Sequence, residues 1–119
     1  MMNSMIRKYD IILASLDTTQ GSEQRGIRPC MVVQNNRVNE LSRTLVVCPF
    51  SSNVKAFFFA LPVKPSALNG LSVISQLDIL QIRTIDKTRM IKNIGRLEES
   101  YWPQFKTCFE ESFDLNDWF

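Results

Sequence analysis

Short apolar runs alternate with polar, glycine-punctuated stretches through the first 96 residues of the chain. DIILASL (Asp10–Leu16), PCMVVQN (Pro29–Asn35), TLVVCPF (Thr44–Phe50) and AFFFALPV (Ala56–Val63) each have the length of one strand and are too short for a buried helix. Pro29 fits the first position of its strand, and Pro49 ends the third strand or marks an edge. Alternation in the fourth run puts Phe57 and Phe59 on one face and Phe58 on the other. That sheet is then covered on both faces or meets a partner chain. LSVISQ (Leu71–Gln76), DILQIRTI (Asp78–Ile85) and RMIKNIG (Arg89–Gly95) are further strands, and NRVNELSR (Asn36–Arg43) is a loop or a single helical turn. The period then changes. Trp102, Phe105, Phe109 and Phe113 recur at helical spacing, a stripe for packing against the sheet. Pro103 is tolerated only in a first turn, so the helix starts near Ser100, a fair N-cap. The expectation is a mainly β fold: a small barrel of six or seven strands with a C-terminal helix.

With 119 residues, the chain reads as one domain, 1–119, with a single core and no room for a separate cofactor domain. Its charge is divided. Thirteen Lys and Arg stand against six Asp and Glu before Glu98, and one against six from there on. A basic body suits a phosphate-bearing ligand, and equally a solvated surface ending in an acidic helix. No apolar run approaches the roughly 20 residues that cross a bilayer, and the N-terminus lacks the apolar stretch of a signal peptide. A cytoplasmic protein with no membrane contact is expected. Cys30, Cys48 and Cys108 are odd in number, widely spaced and set among apolar neighbours, as buried reduced thiols would be. The chain has no histidine, which removes the commonest general base and the commonest transition-metal ligand. No metal and no cofactor are expected.

Three segments concentrate polar chemistry. GSEQRGIRP (Gly21–Pro29) packs Glu23, Gln24, Arg25 and Arg28 between glycines that permit tight turning and a proline that holds the residue before it extended. Arginine forks at such a lip suit phosphate oxygens, and Glu23 can orient one of them or act as a base. The same loop also reads as a surface turn with a Glu–Arg pair. FSSN (Phe50–Asn53) sets Ser51 and Ser52 after a strand, where they can bond a phosphate or a 2′-hydroxyl, or simply form a turn. QIRTIDKTR (Gln81–Arg89) puts Gln81, Arg83 and Ile85 on one face of a strand and Ile82 and Thr84 on the other. An exposed edge with an Arg83–Asp86 pair is the plainer reading.

Taken together, GSEQRGIRP, VVQNNRVNELSRT, the FSS after a strand and QIRTIDKTRM resemble the MazF/PemK family of toxin endoribonucleases, over roughly residues 9–113. The resemblance implies an SH3-like β-barrel with a C-terminal helix, a homodimer, and metal-independent, sequence-specific cleavage of single-stranded RNA. The products would be a 2′,3′-cyclic phosphate and a 5′-hydroxyl, and a cognate antitoxin would block the RNA groove. The family's catalytic Arg before Pro falls on Arg28, its catalytic Thr on Ser51, and its loop Glu on Glu23. Arg25, Gln24, Ser52, Gln81, Arg83 and Asp86 are the implied RNA-contacting residues. The chain departs from the pattern at Ser51, at Phe50, and at Tyr9, which stands where many relatives have Gly before Asp. A CcdB-like toxin acting on DNA gyrase and a non-catalytic SH3-like binding module are the alternatives.

Overall fold

The computed structural model describes residues 6–16, 21, 26–55 and 57–117. Within them the chain forms seven strands: β1 (Asp10–Ser15), β2 (Ile27–Val32), β3 (Thr44–Ser51), β4 (Ala60–Val63), β5 (Ser75–Asp78), β6 (Arg83–Asp86) and β7 (Met90–Arg96). Two α-helices are present, α1 (Asn36–Leu41) between β2 and β3, and α2 (Trp102–Phe113) after β7. The sheet runs β4-β5-β3-β2-β1-β7, with β6 also paired to β3. Every pairing is antiparallel, and the sheet curls like a barrel without closing.

Each face of the sheet carries its own buried cluster. On one, Ile11, Met31, Cys48 and Phe50 meet Phe105 and Cys108 of α2, with Trp102, Phe109 and Phe113 packed at the margin. The helical stripe read from the sequence thus lies against the sheet. On the other face Ile12, Cys30, Val32, Leu45, Val47 and Ile85 form a second cluster. The three thiols are buried and unpaired. Burial pushes the Cys30 thiol up to about 12, and it raises Cys48 and Cys108 as well.

Several boundaries differ from the expectation. β2 begins at Ile27, so Pro29 is its third residue. Tyr9 N–H donates to the Val32 carbonyl at 2.8 Å, and Val33 N–H donates to Val46 at 3.0 Å. Backbone groups of even-numbered β2 residues therefore turn to β1 and those of odd-numbered ones to β3. The donor that Pro29 lacks would have faced β3, and the β2–β3 register runs only from Cys30 to Val32. Pro49 does not end β3. It pairs with Cys30 and lies where β3 exchanges one partner for another, β6 along Thr44–Val47 and β5 along Phe50–Ser51. Its missing donor falls in that gap.

The fourth strand is shorter than its apolar run. Phe57–Phe59 form a turn in which Ala60 N–H donates to the Phe57 carbonyl at 3.3 Å. Phe57 and Phe59 stack at 4.7 Å, and Phe58 meets Phe59 edge-on at 5.2 Å. Ring-to-ring contact within the turn replaces strand alternation. Gln81 lies in a 3-10 turn (Ile79–Gln81) and not in β6. A 3-10 turn at Glu99–Tyr101 precedes α2, which starts at Trp102, so Ser100 is not its cap.

Tyr9 has φ 76°, a left-handed backbone that L side chains disfavour. Its ring stacks on Trp102 at 4.1 Å and meets Phe105 edge-on at 6.0 Å. The loop after β4 lies flat against β7. A Cβ on Gly95 would overlap the Leu68 carbonyl and come within 2.6 Å of the Asn69 carbonyl carbon. Asn69, fully buried, ties this loop. It accepts from Ser66 and Leu71 N–H, both at 3.0 Å, and donates to the Lys64 carbonyl at 2.8 Å and to Glu98 Oε1 at 3.1 Å.

Candidate active site

Strand register brings two of the predicted residues together. Cys30 opposes Pro49 in the antiparallel pair. Two residues further toward the open end, Arg28 on β2 and Ser51 on β3 come opposite one another. Both belong to alternations whose other members, Cys30 and Val32 on β2 and Leu45 and Val47 on β3, are buried on one face. Arg28 and Ser51 are thus the polar ends of two apolar rows. The β2–β3 register ends at the Cys30–Pro49 pair, and beyond it a cleft of about 350 Å³ lies between the strand ends. Arg28, Ser51, Ser52 and Ser75 give it polar walls, and Ile27, Phe50 and Val73 give it apolar ones.

The Ser51 hydroxyl oxygen accepts from Asn53 N–H at 3.1 Å. With that lone pair engaged, its own hydrogen can be donated into the cleft. Arg83 opposes Val47, on the same face as Arg28, and both guanidinium groups act electrostatically on the Cys30 thiol. Arg28, Ser51 and Arg83 therefore gather on one side of the sheet. Ser51 also borders a second cleft of about 270 Å³, lined by Asn53, Lys55, Phe57, Phe59, Gln76, Asp78 and Gln81. Gln81 and Arg83 share a shallow hollow beside it.

Asp86 is placed elsewhere. It opposes Thr44, seven β3 positions from Ser51, or roughly 20 Å along the strand at about 3.3 Å per residue. Its carboxylate accepts from Thr88 N–H at 2.9 Å and from the Thr88 hydroxyl at 2.8 Å, capping a 3-10 turn over Lys87–Arg89. Those two bonds hold its pKa below the usual carboxylate range. Glu23, Gln24 and Arg25 lie outside the described residues. Gln76 and Asp78 were not singled out from the sequence, although their spacing of two within SQLD already puts both on one face of a strand. Among the described residues, no three Cys, Asp or Glu side chains cluster so as to hold a metal ion. A larger hollow, about 700 Å³, lies between α2 and Lys8–Tyr9 and contains neither Arg28 nor Ser51.

The family model for PemK-like, MazF-like toxins of type II toxin–antitoxin systems matches residues 7–113. The chain belongs to this family. The toxin is 34% identical over 117 residues to Endoribonuclease MazF of Staphylococcus epidermidis, a match covering 95% of each chain. It superposes on the Mycobacterium tuberculosis toxin MazF-mt6 with a TM-score of 0.76 at 25% identity, covering 88% of this chain and 96% of that one. A mycobacterial endoribonuclease solved in complex with its cognate antitoxin shares the toxin's fold, with a TM-score of 0.78 over 92% of this chain and 96% of its own at 15% identity. The fold, the family and the activity class expected from the motifs all hold. Among the described residues, no helix is long and apolar enough to cross a membrane.

Proposed function

We propose that this toxin, an endoribonuclease by family, cuts single-stranded RNA without a metal ion at the cleft between Arg28 and Ser51. The supporting observation is that a guanidinium and a hydroxyl on adjacent strands line one cleft at the end of a broken ladder. In this reaction the 2′-hydroxyl oxygen bonds to phosphorus as the bond to the 5′-oxygen breaks. The 2′ proton is lost and the leaving oxygen gains one, so the products are a 2′,3′-cyclic phosphate and a 5′-hydroxyl. The main demand is charge stabilisation, which preorganised donors supply well. Arg28 binds the scissile phosphate and stabilises the charge that develops on it. A guanidinium holds its protons too tightly to be a good general acid, so the role is electrostatic. Ser51 donates to a phosphate oxygen and holds the in-line geometry. Arg83 adds positive charge on the same face, and Ile27 and Val73 offer apolar rims for unstacked bases. Glu23 completes the reading as base or as orienter of Arg28, with Arg25, Gln24, Ser52 and Gln81 along the RNA path.

The reading includes a homodimer acting in the cytoplasm and neutralised by a cognate antitoxin; the mycobacterial endoribonuclease of the same fold is solved in complex with its own. Phe58, 66% exposed beside α2, is an apolar surface that a second copy would cover. The test is incubation of the purified protein with a long single-stranded RNA in excess EDTA, beside Arg28→Ala. Cyclic-phosphate fragments from the wild type alone are expected. Intact RNA in both tubes would sink the proposal in favour of a gyrase-type or binding-module role, and equal cutting in both would remove Arg28 from the mechanism.

A further inference from the structure

The second cleft beside Ser51 has a different chemistry from the first. Its apolar wall is the stacked pair Phe57 and Phe59, with Phe57 48% exposed. Its polar wall is built. Gln76, only 6% exposed, uses both ends of its amide: Oε1 accepts from Lys55 N–H at 2.6 Å, and Nε2 donates to Asp78 Oδ1 at 2.5 Å. The Asp78 carboxylate is thereby held at a fixed angle on the cleft wall. A flat aromatic surface beside an oriented hydrogen-bonding edge is the chemistry that recognises a nucleobase. A carboxylate in the wall disfavours a phosphate there, whereas the cleft on the other side of Ser51 carries Arg28. Ser51 borders both, so a strand with its scissile phosphate at Arg28 has a neighbouring base within reach of Asp78.

We propose that this cleft is a nucleobase subsite in which Asp78 selects, for a nucleotide adjoining the scissile phosphate, a base bearing an exocyclic amino group. The inference rests on the ribonuclease reading above. An ionised carboxylate only accepts hydrogen bonds. Adenine and cytosine present an amino donor on the Watson–Crick edge, and guanine presents two adjacent N–H donors. Uracil flanks its single N–H with two carbonyls, which face a carboxylate unfavourably.

The test is cleavage of a randomised single-stranded RNA by wild type and by Asp78→Asn, with the cut ends mapped by sequencing. Asparagine keeps an oxygen to accept from Gln76 Nε2 and supplies a donor for a base carbonyl. Wild type should disfavour uracil about tenfold at one position next to the cut, the size of one good base contact, and Asp78→Asn should erase that bias. A purely structural role would slow cutting at all sites alike, so an unchanged base preference in the variant overturns the inference while leaving the ribonuclease intact. A second measurement uses only wild type. Dimethylating the exocyclic amino group at that position should cut cleavage about tenfold, and undiminished cutting would also overturn it. Absence of any cleavage in EDTA would remove the ribonuclease reading itself, and this subsite with it.

Discussion

Tyr9 permits a test in which two small side chains should exchange their usual order. Its backbone is left-handed at φ 76°, and it cannot relax away from that geometry cheaply. Its N–H donates to Val32 at 2.8 Å, and its carbonyl accepts from Leu97 N–H at 2.9 Å. Replacing Tyr9 by Gly or Ala removes the stack on Trp102 and the edge contact with Phe105. Aromatic pairing of this kind contributes about 0.5–1.5 kcal/mol beyond burial, so both variants should fall some 2 kcal/mol below wild type once lost apolar contact is added. The difference between them isolates the backbone. A left-handed residue with a Cβ costs about 1–2 kcal/mol, whereas glycine normally loses about 0.4–1 kcal/mol to alanine through the unfolded chain. The first effect is larger, so Tyr9→Gly should be more stable than Tyr9→Ala by roughly 0.5–1 kcal/mol. Urea unfolding of the three proteins at one concentration, with equal m-values, measures this directly. An alanine variant as stable as the glycine variant would show that the left-handed geometry is not imposed by the fold.

Ser51→Thr should keep cleavage near wild type, because the hydroxyl is retained. Ser51→Ala should lower the rate at least tenfold with little change in unfolding midpoint, and an unaffected rate would exclude the hydroxyl. Gly95→Ala drives a Cβ into the Leu68 carbonyl and should lower stability by about 1–3 kcal/mol or more by chemical denaturation. A neutral result there would mean that the Leu68–Asn69 loop does not rest on β7 in solution. Partial burial raises the Glu98 carboxyl, but hydrogen bonds from Ser66 Oγ and Asn69 Nδ2 outweigh it and leave the pKa below the ordinary value. A depressed folded pKa adds stability that is complete above about pH 4.3 and lost as pH falls through the folded value. The stability gap between wild type and Glu98→Gln should therefore narrow from pH 6 to pH 3, and a constant gap would refute this.

The strands and the terminal helix were legible because their patterns are local. Ile12 and Ala14, or Leu45 and Val47, show a buried face by alternation alone, and Phe105 and Phe109 show one by helical spacing. Phe57–Phe59 misled because three phenylalanines have the composition of a strand, while here the rings pack on one another inside a turn and leave Phe57 and Phe58 exposed. Pro29 and Pro49 misled for another reason. Whether a missing N–H matters depends on which neighbour it faces, and that depends on register with residues far along the chain. The same long-range register carries the site. Nothing local links Arg28 to Ser51; the pairing of Cys30 with Pro49 does. Asp86, named from its place in a motif, lies at the far end of β3, where one carboxylate oxygen accepts two bonds from Thr88.

Pro29 also sets where the molecule breathes. From Cys30 inward β2 pairs with neighbours on both sides, whereas beyond Pro29 its register continues with β1 alone. Hydrogen exchange along β2 should therefore be fast at Ile27, whose N–H turns to the open side, and slow at Arg28, whose N–H turns to Ala14 of β1, and from Cys30 on. A fluctuation that widens the mouth of the cleft leaves both buried clusters closed. At the cleft proposed for RNA, a flexible strand would then enter without drawing on the stability of the rest.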